Sequence, residues 1–335
     1  ASELPQAMDL LREIIMTTKI SDEKRLREII AQLRSRVEAA FDGSGHSVVS
    51  MRALSYFSRA AYYQEATAGI SFYELIADLD EHFNEKKDAL IAQLEKMVQT
   101  IFVPERMIVS VVCEEADYQA VEAQIAEKLR WMDEEYLSHY EEIELDSTVK
   151  AQKPFEKPVE ITKKYPISSA EPEEDNTYLS YNLVVGDILD RKLYLAFDVL
   201  DYALLGAPGA PLKQALIDAG IGKDIVGGYD SSTMQPVFSI IAKNANSADK
   251  EKFLATIQDV LNRQVKDGVD KKALLAGISA SEFRYREADF GQFPKGLLYG
   301  IQCLDSWLYD DMQPFMHVEA LDTYCLLREQ VETGY

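Results

Sequence analysis

The chain has 335 residues, 47% apolar and 27% charged, enough for two folded cores and unlike a disordered segment. With 57 acidic against 35 basic residues the net charge is −22, a surface that repels nucleic acid; the short basic runs KPFEKP and ITKKYP are interleaved with glutamate. No apolar run nears the roughly 18 to 20 residues needed to span a bilayer, and the acidic start ASELPQAMDLLREII lacks a secretion signal's basic n-region, so neither membrane nor export is expected and a cytoplasmic compartment is.

In chain order, SDEKRLREIIAQLRSRVEAAFDG spaces Leu26, Ile29, Ile30, Leu33 and Val37 at the helical period, with Ser21 as the expected N-cap and Gly43 as the stop. A second helix is expected over 47–64, a third from a Ser71 cap through FYELIADLDEHF, and a fourth in NEKKDALIAQLEKMVQTIF. Pro104 breaks that pattern, RMIVSVVCE at 106–114 reads as a strand, and 115–143 as helix again. Residues 146–177, with four prolines, read as an extended linker. Beyond it, TYLSYNLVVGD reads as a strand, RKLYLAFDVLDYALLG as a helix, PLKQALIDAG as a short helix, and GGYDSSTMQPVFSIIAKNA as two strands around a polar turn. A helix capped by Ser247 follows, then a helical tail punctuated at Pro294 and Pro314. Strands grouped among helices without βαβ alternation predict an α+β fold with antiparallel sheets packed by helices, preceded by a helix-rich segment.

The glycine-dense run GAPGAPLKQALIDAGIGKD, 206–224, tests for a phosphate loop. A P-loop needs GxxxxGK[ST], but Gly222-Lys223 is followed by Asp224, and the position of the motif's first glycine holds another residue. A dinucleotide loop would follow a strand, whereas this run follows a helix. Gly206 ending one helix and Pro211 opening the next accounts for it as a helix-to-helix corner. His46, His82, His139 and His317 are isolated, neither HExxH nor HxxEH occurs, and no GxSxG elbow is present, so no catalytic and no metal residues are assigned. Ser44 or Ser47 in GSGHS is expected to shape a helix start. Cys113, Cys303 and Cys325 are too scattered for a disulfide framework or a zinc site and are expected to be buried free thiols.

From Leu183 to Asp224, with the GGYD and QPVFSI strands and FPKGLLYGIQCLDSWLYDD at 293–311, the sequence resembles the second domain of the M16C zinc peptidases, the presequence-protease and falcilysin-like relatives of insulysin. DSTVKAQKPFEKP resembles the start of that domain, LRWMDEEYLSHYE the helix closing the family's catalytic first domain, and residues 1 to about 125 the helical part of the third domain. That places a third-domain-like segment before a second-domain-like one, the reverse of the family order, with a junction near Ala126-Glu127. The division expected is 1–126 helix-rich segment, 127–177 helix and linker, and 178–335 the α+β domain. The family's HxxEH has no match here, and GGYD at 227–230 lacks the upstream Arg of its RxxxGGxY motif.

The resemblance implies one noncatalytic wall of a closed, peptide-holding chamber. Peptides and the missing catalytic half of the same enzyme are the implied partners. Zinc belongs to the full-length enzyme, with no cofactor bound by this chain, which alone is expected to be inactive. The acidic surface suits basic peptides. An edge strand near 236–242 would bind extended peptide through Val237, Ser239 and Ile241, unless both its edges are already paired. The alternative function is a catalytically inactive M16-like scaffold or protein-interaction module, and a third is an unrelated α+β domain. An alanine start in mid-pattern and an abrupt end at EQVETGY favour a fragment over a whole protein.

Overall fold

The computed structural model describes residues 3–102, 113–136, 153, 155–167, 172–287 and 291–334. The chain divides into two compact units, Ala1–Arg36 with Glu74–Ser147, and Val37–Tyr73 with Thr148–Tyr335. The strand expected at 106–114 lies almost wholly outside the described residues.

The smaller unit is helical. α1 (Leu4–Thr17) packs on α6 (Tyr118–Tyr136), burying Ile15 and Trp131 against Phe102 and Leu129. Lys128 holds Asp9 at 2.8 Å and the Arg12 guanidinium lies 5.8 Å from the Trp131 ring centre. α2 (Glu23–Leu54) is capped by Asp22, whose carboxylate accepts the Arg25 N–H at 3.0 Å, so Ser21 is not the cap. Across this unit Arg34 bridges Asp80 at 3.1 Å and Glu81 at 3.2 Å.

The span of α2 is two helices that meet at Ser44, one residue past the stop expected at Gly43. At Ser44 φ is −144°, and a Cβ on Gly45 would stand 2.1 Å from the Tyr178 ring. GSGHS is therefore the bend from which the second helix starts, as expected, and there an aromatic ring approaches the backbone. α3 (Arg59–Ala68) takes Ser58 as its cap, and α4 (Ile70–Glu81) and α5 (Phe83–Ile101) follow. Ser71 lies inside α4 and caps nothing. Its amide donates to Glu65 at 3.0 Å, and Glu65, only 1% exposed, also pairs with Arg52 at 3.1 Å. Burial acts to raise the Glu65 carboxyl, but the Ser71 amide and hydroxyl and Arg52 outweigh it and hold it below the ordinary range.

The larger unit is built on a three-stranded antiparallel sheet in the order β1 (Thr177–Val184), β3 (Val237–Ala245), β2 (Asp224–Asp230). α7 (Arg191–Asp201) ends in a π turn, Tyr202–Gly206, and Pro211 opens α8 (Pro211–Asp218), which is the corner expected of GAPGAP. Asn246, not Ser247, caps the turn leading into α9 (Lys250–Asp267). Leu212 and Leu216 of α8 and Phe253, Ile257 and Val260 of α9 close one core against Leu179, Ile225, Phe238 and Ile240 of the sheet. α7, α10 (Lys271–Glu287) and α12 (Leu321–Thr333) enclose a second core around Leu195, Val199, Ile278, Tyr324 and Leu327. α11 (Lys295–Trp307) precedes α12. The fold is α+β, a small antiparallel sheet packed by helices. The cysteines depart from expectation: Cys113 and Cys325 are exposed and Cys303 half-buried, all three free.

Two glycines fix the sheet's tight edge. Gly227 and Gly228 have φ of 140° and 147°, and a Cβ on Gly227 would meet the Ser239 carbonyl oxygen at 2.1 Å. Backbone oxygen cannot swing aside as a side chain can, so Gly227→Ala is expected to lose about 3 kcal/mol or more, by strain plus displaced strand pairing. Urea unfolding of the variant beside Gly209→Ala, whose Cβ meets nothing within 4 Å, separates the steric part from positive φ alone.

Candidate functional site

The polar groups gathered in this unit come from one helix face. In α7, Tyr194, Phe197, Asp198 and Asp201 follow at i, i+3, i+4 and i+7, so they line one side. Asp190 fixes the start of that helix by accepting the Leu193 N–H at 2.9 Å. Opposite this face stands Tyr229 of β2, stacked on Phe197 with ring centres 5.7 Å apart and edge-on to Tyr194 at 6.1 Å. His317, from the turn before α12, stacks on Tyr194 at 4.1 Å with planes 25° apart.

The carboxylates of this face hold backbone and neighbouring helices. Asp198 accepts the Ser281 hydroxyl and lies 3.5 Å from Arg284, tying α7 to α10. Asp201 sits beside Gly228, where a Cβ would come within 3.1 Å of its oxygen, and takes the Tyr229 amide. Burial raises Asp201 all the same, the Tyr229 amide offsetting only part of it. GGYD is thus a docking device: two glycines bring β2 close enough for its backbone to meet the acid of α7.

Burial also raises the Tyr194 and Tyr229 phenols, and Tyr229 Oη has no hydrogen-bond partner among the described residues. His317 is 6% exposed, and burial takes its pKa down to about 4, although contact with the Ile188 backbone acts to raise it. Asp305 of α11 is half-buried and pushed up to about 6 by burial; no hydrogen bond or ion pair reaches it from the described residues. At neutral pH both tyrosines and the histidine are neutral. The Ser281 hydroxyl bonded to Asp198 ties α10 to α7, so the polar contacts of this face serve packing.

Val237, Ser239 and Ile241 are not on an edge. β3 is the centre strand: Val237 faces Val184 and Asp230, Ser239 faces Asn182 and Gly228, and Ile241 faces Ser180 and Val226. Val237 and Ile241 are buried and the Ser239 hydroxyl donates to Asn182 at 2.8 Å. Both sides of the strand are hydrogen-bonded, so no peptide can add to it, and the expectation of an open edge there is corrected. The cluster on α7 was missed at the sequence level, although its i, i+3, i+4, i+7 spacing was readable; its partners Tyr229 and His317 lie 35 and 123 residues further on (229 − 194 and 317 − 194).

Among the described residues no three His, Cys, Asp or Glu side chains converge as a metal site, and no helix is long and apolar enough to cross a membrane. Residues 1–79 match the family model for the peptidase M16C associated region, and residues 89–280, more than half the chain, match the peptidase M16 inactive domain. The chain belongs to the M16 peptidase family, as its inactive domain. This M16 chain is 44% identical over 192 residues to Protein HypA of Clostridium perfringens, an alignment covering 57% of the chain and 20% of that relative. It is 33% identical over 187 residues to presequence protease 1, chloroplastic/mitochondrial, of Arabidopsis thaliana, covering 55% and 17%. The matched part therefore spans about a fifth of these relatives' length. A crystal structure described as an M16-like peptidase from Alicyclobacillus acidocaldarius overlaps 96% of the chain and 68% of its own, at 16% identity and a TM-score of 0.38.

The two shifted groups act on stability in opposite senses. The unfolded histidine takes a proton near 6.5 and the folded one only near 4, so stability is lost as pH falls across that range, up to about 3 kcal/mol. The Asp305 carboxyl protonates near 6 when folded and near 3.8 when unfolded, so it adds stability as pH falls from 6. Urea midpoints at pH 7.0, 5.5 and 4.5 should show His317→Phe losing less than the parent on acidification and Asp305→Asn losing more. Parallel curves for all three proteins would refute both assignments.

Proposed function

We propose that this chain is a noncatalytic wall of an M16C zinc metallopeptidase that degrades peptides, with zinc and the glutamate base supplied by an HxxEH-bearing portion outside it. The observation that carries this reading is the match of residues 89–280 to the inactive M16 domain, in a sequence with no HxxEH of its own. The described residues do not fit zinc. His317 lies against Tyr194, and among the described residues neither it nor His46 nor His82 belongs to a group of three possible metal ligands. No step of peptide hydrolysis is therefore assigned to this chain's residues.

Its part in the reaction is containment. The net charge of −22 favours basic peptides over acidic ones, by attraction that weakens with salt. Main-chain recognition of an extended peptide would fall to the outer edge of β1, which no strand pairs among the described residues; on β2 the Tyr229 amide is already taken by Asp201.

Purified and supplied with zinc, the 335-residue chain should leave a basic fluorogenic peptide uncut and release its zinc on dialysis. Adding the HxxEH-bearing portion from the same source should give cleavage that a chelator abolishes. Chelator-sensitive cleavage by the chain alone would overturn the assignment, as would a complete enzyme that cuts no peptide.

A further inference from the structure

α11 is built inside out. Of its thirteen residues, KGLLYGIQCLDSW, only Lys295 and Asp305 are charged. Leu297, Ile301 and Leu304, with Leu308 just past its end, are spaced by 4, 3 and 4 and so share one face. That face points to solvent: the four are 53%, 48%, 43% and 65% exposed. The opposite side carries Tyr299, Gln302 and Ser306, of which Ser306 is fully buried and donates to the Gln313 carbonyl at 2.7 Å. Phe293, Met312 and Phe315, also exposed, continue the apolar surface beyond both ends. An amphipathic helix that turns its leucines outward and its serine inward is oriented for a partner, because burying the leucines against its own domain would be the lower-energy choice for an isolated one.

What covers it is narrowed by length and charge. The matched part of the chain is only 20% of one relative and 17% of another, so four-fifths of those polypeptides lies outside it. A second copy is disfavoured, since two chains at −22 repel. Asp305 is not part of that apolar surface: it is half-buried within reach of Tyr194 and Tyr309, whose phenols its charge acts to raise.

We propose that the outward face of α11, Leu297, Ile301, Leu304 and Leu308, is the docking seam for the HxxEH-bearing peptidase portion, which covers it with an apolar groove. This rests on the function proposed above. It gives the wall a specific attachment, through a helix that otherwise contributes little to its own core.

The test uses the encoded protein as it exists, whether one polypeptide or two. A photo-crosslinking p-benzoylphenylalanine is placed at Leu304, and in a separate variant at Val265, which is more exposed but on α9. Mass mapping should find the Leu304 probe joined to residues of the peptidase portion and the Val265 probe not. Adding Ile301→Lys should lower that cross-link about tenfold, the effect of losing roughly 1.4 kcal/mol at a buried contact. Urea unfolding of Ile301→Lys should be unchanged within about 0.5 kcal/mol in the 335-residue chain, because the site is exposed there. Cross-links only between copies of this chain, or equal yields from both probes, overturn the docking seam. Peptide cleavage with zinc is assayed on the same samples. An enzyme that cleaves while Leu304 meets no peptidase residue refutes the seam alone, whereas a protein that never cleaves refutes the function beneath it.

Discussion

The larger unit depends on a strand that has no free edge. β3 is hydrogen-bonded on both sides and carries apolar residues on both faces, so it can exist only after β1 and β2 have paired with it and α8 and α9 have covered it. Every later feature inherits its position from that arrangement. β2 stands where its glycines touch the Ser239 backbone, α7 stands where Asp201 meets β2, and the aromatic cluster stands where α7 faces Tyr229.

α7 joins the two cores of this unit. Leu195 and Val199 face α10 and α12, while Phe197 and the turn residues Leu204 and Leu205 pack on the sheet core. Polar groups at the seam are nearly all spent on structure: Asp198 on Ser281 and Arg284, Asp201 on the β2 backbone, Asp190 on the helix start.

Buried polarity elsewhere follows the same logic. Glu65 is tolerated in the interior because Arg52 and the Ser71 amide satisfy it, and Gly69 permits the approach, since a Cβ there would come within 2.8 Å of Glu65. Asp305 and the Tyr229 phenol are among the exceptions, without a hydrogen bond from the described residues, and His317 has the Ile188 backbone beside its ring. Asp305 and His317 both adjoin Tyr194: His317 stacks on its ring, and Asp305 of α11 acts to raise its phenol.

Periodicity and turn chemistry made the helices, the β2–β3 hairpin and the GAPGAP corner readable, because those patterns depend on residues within a few positions of each other. Family membership was readable too, from the run Leu183 to Asp224, which lies inside the matched residues 89–280. Capping was read less well: Asp22 displaced Ser21, Asn246 displaced Ser247, and Ser71 became a donor inside a helix, since neighbouring polar residues compete for the same amides and geometry chooses. Val237, Ser239 and Ile241 alternate as an edge strand would, yet alternation within one strand carries no record of how many neighbours it has. Among the described residues the sequence alone determined most of the helices and the strands of the sheet, together with the α+β class and the absence of an HxxEH motif, all properties of local order. Only the tertiary structure decided that β3 is central, that GGYD docks on Asp201 and that α11 faces outward, because each depends on contacts between residues far apart in the chain.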